Sequence, residues 1–444
     1  MPISPARVAA CEILLRIERE DSYSSELLHS PQYDKLTSAD HGLATELVMG
    51  VLRWRSLLDA RIAAHSSHKL ARYDLEVLTA LRLAAYQLTF LDRVPSHAAV
   101  NESVDLVKRA RKRSAVPFVN ALLRKLAAEK LDRPEISTAD AANLSESSAH
   151  PQWLVDRWIH AFGFEPTRNI CQYDQQPPET SIRLSNPSQE NDLNSDAVTL
   201  APGRLLASAR RVLSGNITQT PSFRSGNAII QDEASQLVAL LVGRGASVLD
   251  CCAAPGGKTR ILAQQNPNAA VIAVELHPHR ARMLRKLVTE ANIRILAADV
   301  RHLPLQSRFD RVLVDVPCSG TGTLARNPEI KWRLRPGDAG DLADLQQKQI
   351  AILTAAMQHV APGGRLVYST CSLEPEENQQ VIEQALAVET AFRLVNGRDE
   401  LERLRAENQL IWPDLDSLLS GPYLRTIPGV HPCDGFFAAI LERL

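Results

Sequence analysis

The stretch that most constrains this chain is Val248-Leu249-Asp250-Cys251-Cys252-Ala253-Ala254-Pro255-Gly256-Gly257-Lys258-Thr259. A short apolar run, Ser247 to Leu249, ends at Asp250, turns through small residues and enters a helical pattern from Lys258 to Gln265. A buried strand, a tight loop and a helix start, in that order, aim backbone N–H groups and a helix dipole at a bound nucleotide. The loop is not a P-loop, because the Walker spacing requires glycine where a cysteine stands, and it is not Gly-x-Gly-x-x-Gly. A nucleoside without a phosphate chain is the better ligand for such a loop; the plainer alternative is an ordinary strand-to-helix turn.

From Gly226 onward strands and helices alternate. Strands are expected at Ser247–Leu249, Val271–Val274, Ile293–Leu296, Arg311–Val314 and Arg365–Tyr368, with helices at Glu233–Val242, Lys258–Gln265, Pro278–Glu290 and Asp341–Val360. That order predicts a doubly wound, largely parallel α/β sheet with its ligand at the strand C-terminal ends. Acids stand at those ends: Asp250, Glu275, Asp299 just beyond the third strand, and Asp315. Any one of them alone is more commonly a helix cap. Four in register favour a shared crevice, with Glu275 placed to grip a ribose diol.

Ahead of this, residues 4 to about 130 carry apolar residues at helical spacing, as in Leu43, Leu47 and Val51 or Phe118, Leu122 and Leu126. Ser4-Pro5 caps the first helix, whose apolar face is read as Val8, Cys11 and Leu15. The expected organisation is multidomain: an all-α bundle over 1–135, a linker over 136–150, a small α+β middle segment over 151–225 and the α/β domain over 226–444. Lys108 to Arg113 holds five cations in six positions. The run reads either as part of an RNA footprint or as a solvated helix end.

The net charge of −1 excludes neither nucleic acid nor any other partner, since a binding face is local. No apolar run approaches the roughly 18 residues of a membrane span, and no secretory leader is visible, so a cytoplasmic protein without a membrane partner is expected. Seven cysteines without paired spacing suggest neither a disulfide framework nor a metal site. Two of them follow sheet strands: Cys318 in Asp315-Val316-Pro317-Cys318-Ser319-Gly320 and Cys371 in Ser369-Thr370-Cys371-Ser372. A lone cysteine is usually a core thiol. These two stand where substrate would bind, and a thiolate is a soft nucleophile.

Asp-Cys-Cys-Ala-Ala-Pro-Gly-Gly-Lys-Thr at 250–259, Asp-Val-Pro-Cys-Ser-Gly-Thr-Gly at 315–322, Lys331-Trp332, Ser-Thr-Cys-Ser at 369–372 and Asp434-Gly435-Phe436-Phe437 resemble the motif series of the Nop2/Sun/Fmu family of RNA 5-methylcytosine methyltransferases. Ile230-Gln231-Asp232-Glu233-Ala234-Ser235 resembles that family's entry into the catalytic domain, a Rossmann-like methyltransferase fold. The bundle resembles the RNA-binding NusB fold through 94–101 and 118–124, an arrangement similar to the family's bacterial small-subunit ribosomal RNA enzymes.

The resemblance implies S-adenosylmethionine as cofactor, no metal, and RNA as partner, with 16S ribosomal RNA favoured by the NusB-like domain. The cofactor would be held by Cys252, Ala253, Ala254, Pro255, Gly256, Gly257 and Lys258, by Glu275 on the ribose, by Asp299 near the adenine and by Asp315 near the methionine end. Glu275 stands where close relatives often carry Asp. By the same resemblance Cys371 is the nucleophile, Cys318 serves product release, Asp315 contacts the base, and Lys258 orients Asp315 or the base. A monomer is expected. The rival readings are a transfer RNA cytosine methyltransferase, a non-catalytic RNA-binding assembly factor, and a redox pair of Cys318 with Cys371.

Overall fold

The computed structural model describes residues 3–20, 22–129, 132–185, 193, 198–335 and 341–444. The chain divides into two compact units: Met1–Pro177 with Leu324–Arg333, and Pro178–Thr323 with Leu334–Leu444.

The first unit begins as a helical bundle whose long members are Pro5–Glu20, Ser38–Arg53, Leu75–Phe90, Ser96–Arg109 and Val116–Ala128. Leu47, Val51, Leu81, Ala84, Val100, Val107, Leu122 and Leu126 share one core. Each large aliphatic among them contributes about 1.5–3 kcal/mol by leaving water. The first helix is rotated from its expected face. Ala6, Ala10, Ile13, Leu14 and Ile17 fill the core, while Val8 and Leu15 pack only at its margin. Small alanines, which a hydrophobicity pattern undervalues, allow that closer approach. Residues 136–150, expected as a linker, contain the helix Ala141–Ser147, whose N-cap Asp140 accepts from Asn143 N at 2.9 Å. Its Ser, Asp and Glu content reads as linker composition because the helix buries few residues, Leu144 among them.

Leu324–Arg333 belongs to this unit although the sequence around it belongs to the other. Lys331, 1% exposed, donates to the carbonyls of Arg53 at 2.9 Å and Ala149 at 3.2 Å. Trp332 Nε1 donates to Leu52 O at 2.7 Å, and the Glu329 carboxylate accepts from Ser24 N at 2.8 Å and Ser24 Oγ at 3.0 Å. The Lys331-Trp332 motif thus serves the core of the first unit.

In the second unit a four-stranded antiparallel sheet runs in the order Thr199–Pro202, Ala209–Ser214, Thr180–Leu184, Ala228–Ile230. A nine-stranded sheet dominates the rest. Its parallel strands lie in the order Ile293–Ala297, Ala270–Glu275, Ser247–Asp250, Phe309–Asp315, Val360–Thr370. Antiparallel strands continue it through Phe436–Arg443, which pairs Val360–Thr370 and also receives Phe392–Val395. Alternate residues feed two cores: Val248, Leu313 and Val367 on one face, Leu249, Val312, Val314, Leu366 and Tyr368 on the other. A sheet covered on both faces is what a doubly wound fold requires, and each expected strand is present. The antiparallel flank was not expected from the sequence.

Candidate active site

Strand order reverses between Ser247–Asp250 and Phe309–Asp315, and at such a point the loops leaving neighbouring strands part and open a crevice. A cavity of about 510 Å³ lies there, lined by Cys252, Glu275, Asp299, Asp315, Cys318 and Cys371 with others. A smaller one of about 110 Å³ is lined by Gln231, Ala253, Ala254, Pro255, Gly256, Gly257, Lys258 and Asp315. Every site residue singled out in the sequence lines one of the two.

The loop geometry is set by glycine. Gly256 has φ +113°, a conformation that side-chain-bearing residues rarely adopt, and a Cβ there would come within 2.5 Å of Leu284 Cδ1, which would have to shift. The loop is held below by Thr259 Oγ1, which donates to Asp250 Oδ2 at 2.7 Å. Burial pushes the Asp250 carboxyl up to about 7, with the Asp315 charge adding to it and the Thr259 bond opposing it. Asp250 therefore ties the loop together, since its side chain is 1% exposed as a residue and lines only the smaller cavity.

Glu275 is nearly buried, with Oε1 accepting from His277 N at 2.9 Å. Asp299 caps a short turn and grips Arg301 at 2.6 Å, an interaction that lowers its pKa. Asp315 is held from two sides: Lys258 Nζ donates to Oδ2 at 2.8 Å and Ser369 Oγ to Oδ1 at 2.7 Å. Ser369 can do so because it is the in-register partner of Asp315 on the adjacent strand. Burial would lower Lys258, but the Asp315 carboxylate outweighs it and holds the ammonium above the usual lysine range. The Phe436 ring centre, 5.0 Å from Nζ, adds a cation–π contact.

The two cysteines meet, with Cys318 Sγ 3.3 Å from Cys371 Sγ, both as free thiols. The contact with Cys371 and then burial push the Cys318 thiol well up, which favours its protonated form; either sulfur can be the donor across the contact. Backbone closeness makes the meeting possible. Gly322 N donates to Cys371 O at 2.9 Å and Gly435 N to Gly322 O at 2.7 Å, and a Cβ on Gly322 would fall 2.3 Å from Gly435 O. The glycines of two separate motifs are thus one crossing.

Sequence reasoning missed the buried supports of these loops. Glu377, fully buried, accepts from Ser319 N and Gln349 Nε2 at 2.8 and 2.9 Å and raises its own pKa through burial. Asn378 Oδ1 accepts from Thr370 Oγ1 at 2.6 Å, and its Nδ2 donates to Ser372 O at 2.9 Å. The run Glu374-Pro375-Glu376-Glu377-Asn378 reads as a solvated turn, and only its position directly after Cys371 hinted otherwise.

A doubly wound sheet with acids at its strand ends, a glycine-bearing nucleoside loop and paired thiols at the switch point defines an α/β domain of the methyltransferase class. Family comparison narrows this. Residues 238–442 match the model of the 16S rRNA methyltransferase RsmB/F, residues 4–128 the NusB family, and residues 150–192 the ferredoxin-like domain of RsmF/B-like methyltransferases. The chain is 33% identical to the probable ribosomal RNA small subunit methyltransferase B of Synechocystis, with 99% of both chains covered. Against the Bacillus subtilis protein of the same name it is 32% identical over 86% of this chain and 88% of that one. Among solved structures, PH0851 superposes with a TM-score of 0.80 at 25% identity, covering 100% of both chains. A methyltransferase homologue from Pyrococcus horikoshii gives 0.57 at 26%, covering 69% of this chain and 100% of that one. The chain belongs to the RsmB/F family of 16S ribosomal RNA methyltransferases, as its motif series implied.

Proposed function

We propose that this protein methylates carbon 5 of a cytosine in 16S ribosomal RNA through a covalent bond between Cys371 and carbon 6 of the base. The observation that carries the reading is the 3.3 Å approach of the Cys318 and Cys371 sulfurs in a crevice they share with Asp315. The 16S substrate is supported by relatives of equal length named as small-subunit ribosomal RNA methyltransferases.

The donor we assign is S-adenosylmethionine, and the residues present fit it. The Cys252–Lys258 loop lines the smaller cavity, Glu275 offers a nearly buried carboxylate to ribose hydroxyls, and the 510 Å³ cavity is of cofactor size. When bound, it supplies an electrophilic methyl group on a sulfonium. Cytosine carbon 5 is a poor nucleophile, so the Cys371 thiolate first bonds to carbon 6. The electron pair of the 5,6 double bond moves into the ring, and carbon 5 would then take the methyl group as its bond to the sulfonium breaks, the bonding pair staying on sulfur to leave a neutral thioether. Asp315, anchored by Lys258 and Ser369, is assigned to the base edge: ring nitrogen 3, which takes a proton from water as carbon 6 is attacked and returns it on release, and the amino group both donate to its carboxylate, which stabilises the positive charge on that edge once carbon 5 is methylated. Carbon 5 next loses its hydrogen as a proton to water, the double bond re-forms, and the carbon–sulfur bond breaks with its electrons returning to Cys371. The protonated Cys318 serves this last step, because its S–H can donate to the departing thiolate.

The variants should therefore fail differently. Cys371→Ala should form no adduct and no product. Cys318→Ala should form the adduct and stall, leaving enzyme attached to methylated RNA. On a denaturing gel with labelled RNA, a slow band is expected for the Cys318 variant alone; the reverse pattern exchanges the roles, and full activity in both removes the covalent mechanism. Bisulfite sequencing of ribosomal and transfer RNA from a deletion strain tests the substrate.

A further inference from the structure

Two chemically identical thiols in contact must be told apart by their surroundings, since only one of them can be the nucleophile. The second unit supplies two charges of opposite sign for this, one bearing on each sulfur.

The charge that bears on Cys318 is Glu377, fully buried at the end of the Pro375–Glu377 turn. Its Oε1 accepts from Ser319 N at 2.8 Å and from Gln349 Nε2 at 2.9 Å, and its Oε2 accepts from Ser319 Oγ. Ser372 bonds to it as well, and the Ser319 and Ser372 hydroxyls lie 3.1 Å apart. One carboxylate thus fastens the residue after Cys318 to the residue after Cys371. A backbone N–H and an amide nitrogen can only donate, which is the company that an ionised carboxylate needs. Burial raises the Glu377 carboxyl, and these bonds oppose the rise.

The charge that bears on Cys371 is Lys258. Burial works against its ammonium, Asp315 holds it, and the charge of a Cys371 thiolate adds to that hold. Ionisation of Cys318 is opposed by its contact with Cys371, by burial, by the charge of Cys371 and then by that of Glu377. The other groups nearby leave this asymmetry in place. Burial pushes up both the Tyr368 phenol, which donates to Glu377 O at 2.7 Å, and the Cys252 thiol, so both stay neutral. Asp315 is paired with Lys258 at 2.8 Å, and Lys348, which also lines the crevice, is exposed to water.

We propose that Glu377 is a positioning residue that assigns the two cysteines their roles: its carboxylate ties the two thiol loops together, and its negative charge keeps the proton on Cys318. Cys371 then gives its proton to solvent and is the sulfur free to attack. The roles of nucleophile and release group rest on the covalent reading above; the place of the proton does not.

The test is alkylation of the full-length protein by iodoacetamide, which attacks thiolates, followed peptide by peptide by mass spectrometry from about pH 6 to about pH 10. In the unaltered protein Cys371 should label about tenfold faster than Cys318 at about pH 8. Glu377→Gln keeps the shape and most of the bonds but removes the charge; the Cys318 rate at about pH 8 should rise about tenfold, its pH–rate curve moving down by about one pH unit. Glu377→Asp keeps the charge on a shorter arm and should leave Cys318 as slow as before. Equal labelling of the two cysteines in the unaltered protein, or a Cys318 curve that Glu377→Gln does not move, overturns the proposal. Should Glu377→Gln fail to fold, the labelling order in the unaltered protein and the Asp variant carry the test, and fast labelling of Cys318 in that variant overturns the role of the charge. Neither RNA nor methyl transfer enters the measurement, so its failure leaves the covalent adduct standing, and absence of an adduct leaves the labelling order to be read.

Discussion

Lys258 and Lys331 are both withdrawn from water beside an aromatic ring, yet they reach opposite electrostatic ends. Lys258 Nζ lies 5.0 Å from the Phe436 ring centre, and Lys331 Nζ lies 5.5 Å from that of Trp332. Burial disfavours the charge of both. In the crevice, Asp315 at 2.8 Å reverses the effect and Lys258 stays firmly an ammonium. In the first unit Lys331 donates to two neutral carbonyls, the attraction of Asp174 is smaller than the burial effect, and its pKa falls to about 7. The ring is therefore not what decides. A touching carboxylate keeps a buried lysine charged, and carbonyls alone do not.

The largest expected effect tests the crevice half of this contrast. Lys258→Met should cut kcat on 16S RNA by about a hundredfold or more, because Asp315 loses its counter-charge where charge develops. Lys258→Arg should recover part of the loss. A drop under about threefold would reduce the pair to scaffolding. Next comes the buried half. The unfolded chain keeps Lys331 at the ordinary 10.5 while the folded protein holds it at about 7, so between those values the unfolded state binds the extra proton. Stability from this group thus rises with pH across that window and is lowest below about pH 7. Lys331→Met should flatten the rise, read as urea midpoints at about pH 6 and about pH 9. An unchanged difference between the two would mean that Lys331 does not titrate there.

The smallest effect concerns exposed cations. In the basic run Lys108, Arg109 and Lys112 pair with Asp105 at 2.7 Å, Glu12 at 3.1 Å and Asp74 at 3.1 Å. Surface pairs of this kind hold weakly and can be exchanged for phosphates. Replacing the run with glutamine should lower the salt slope of RNA binding by about one unit for each phosphate that the cations no longer neutralise. An unchanged slope would leave these pairs as surface features.

What could be read from the sequence follows from how locally each feature is encoded. Asp250, Glu275 and Asp315 each close an apolar run, and a doubly wound sheet gathers strand ends automatically, so the crevice was legible. Partners set by distant chain were not. Glu329 meets Ser24 across 305 residues, and Ser369 reaches Asp315 only because two strands lie in one register. The antiparallel flank escaped for a related reason: Leu419–Ser420 and Tyr423–Thr426 are too short to show a period, and Phe436–Arg443 is buried on both faces over most of its length and so shows no alternation. Asn378 and Glu377 look like surface residues until their partners are known.

The course of the chain through Leu324–Arg333 bears on inheritance and engineering alike. A polypeptide ending at Pro177 contains every helix of the NusB-like bundle, but it lacks the ten residues that satisfy the carbonyls of Leu52, Arg53 and Ala149 and the backbone N–H of Ser24. The helical unit is therefore not one contiguous stretch of sequence. A single cut at Pro177 leaves these bonds behind, and a change at Glu329 or Trp332, though written within the catalytic half of the gene, would be felt in the other half of the protein.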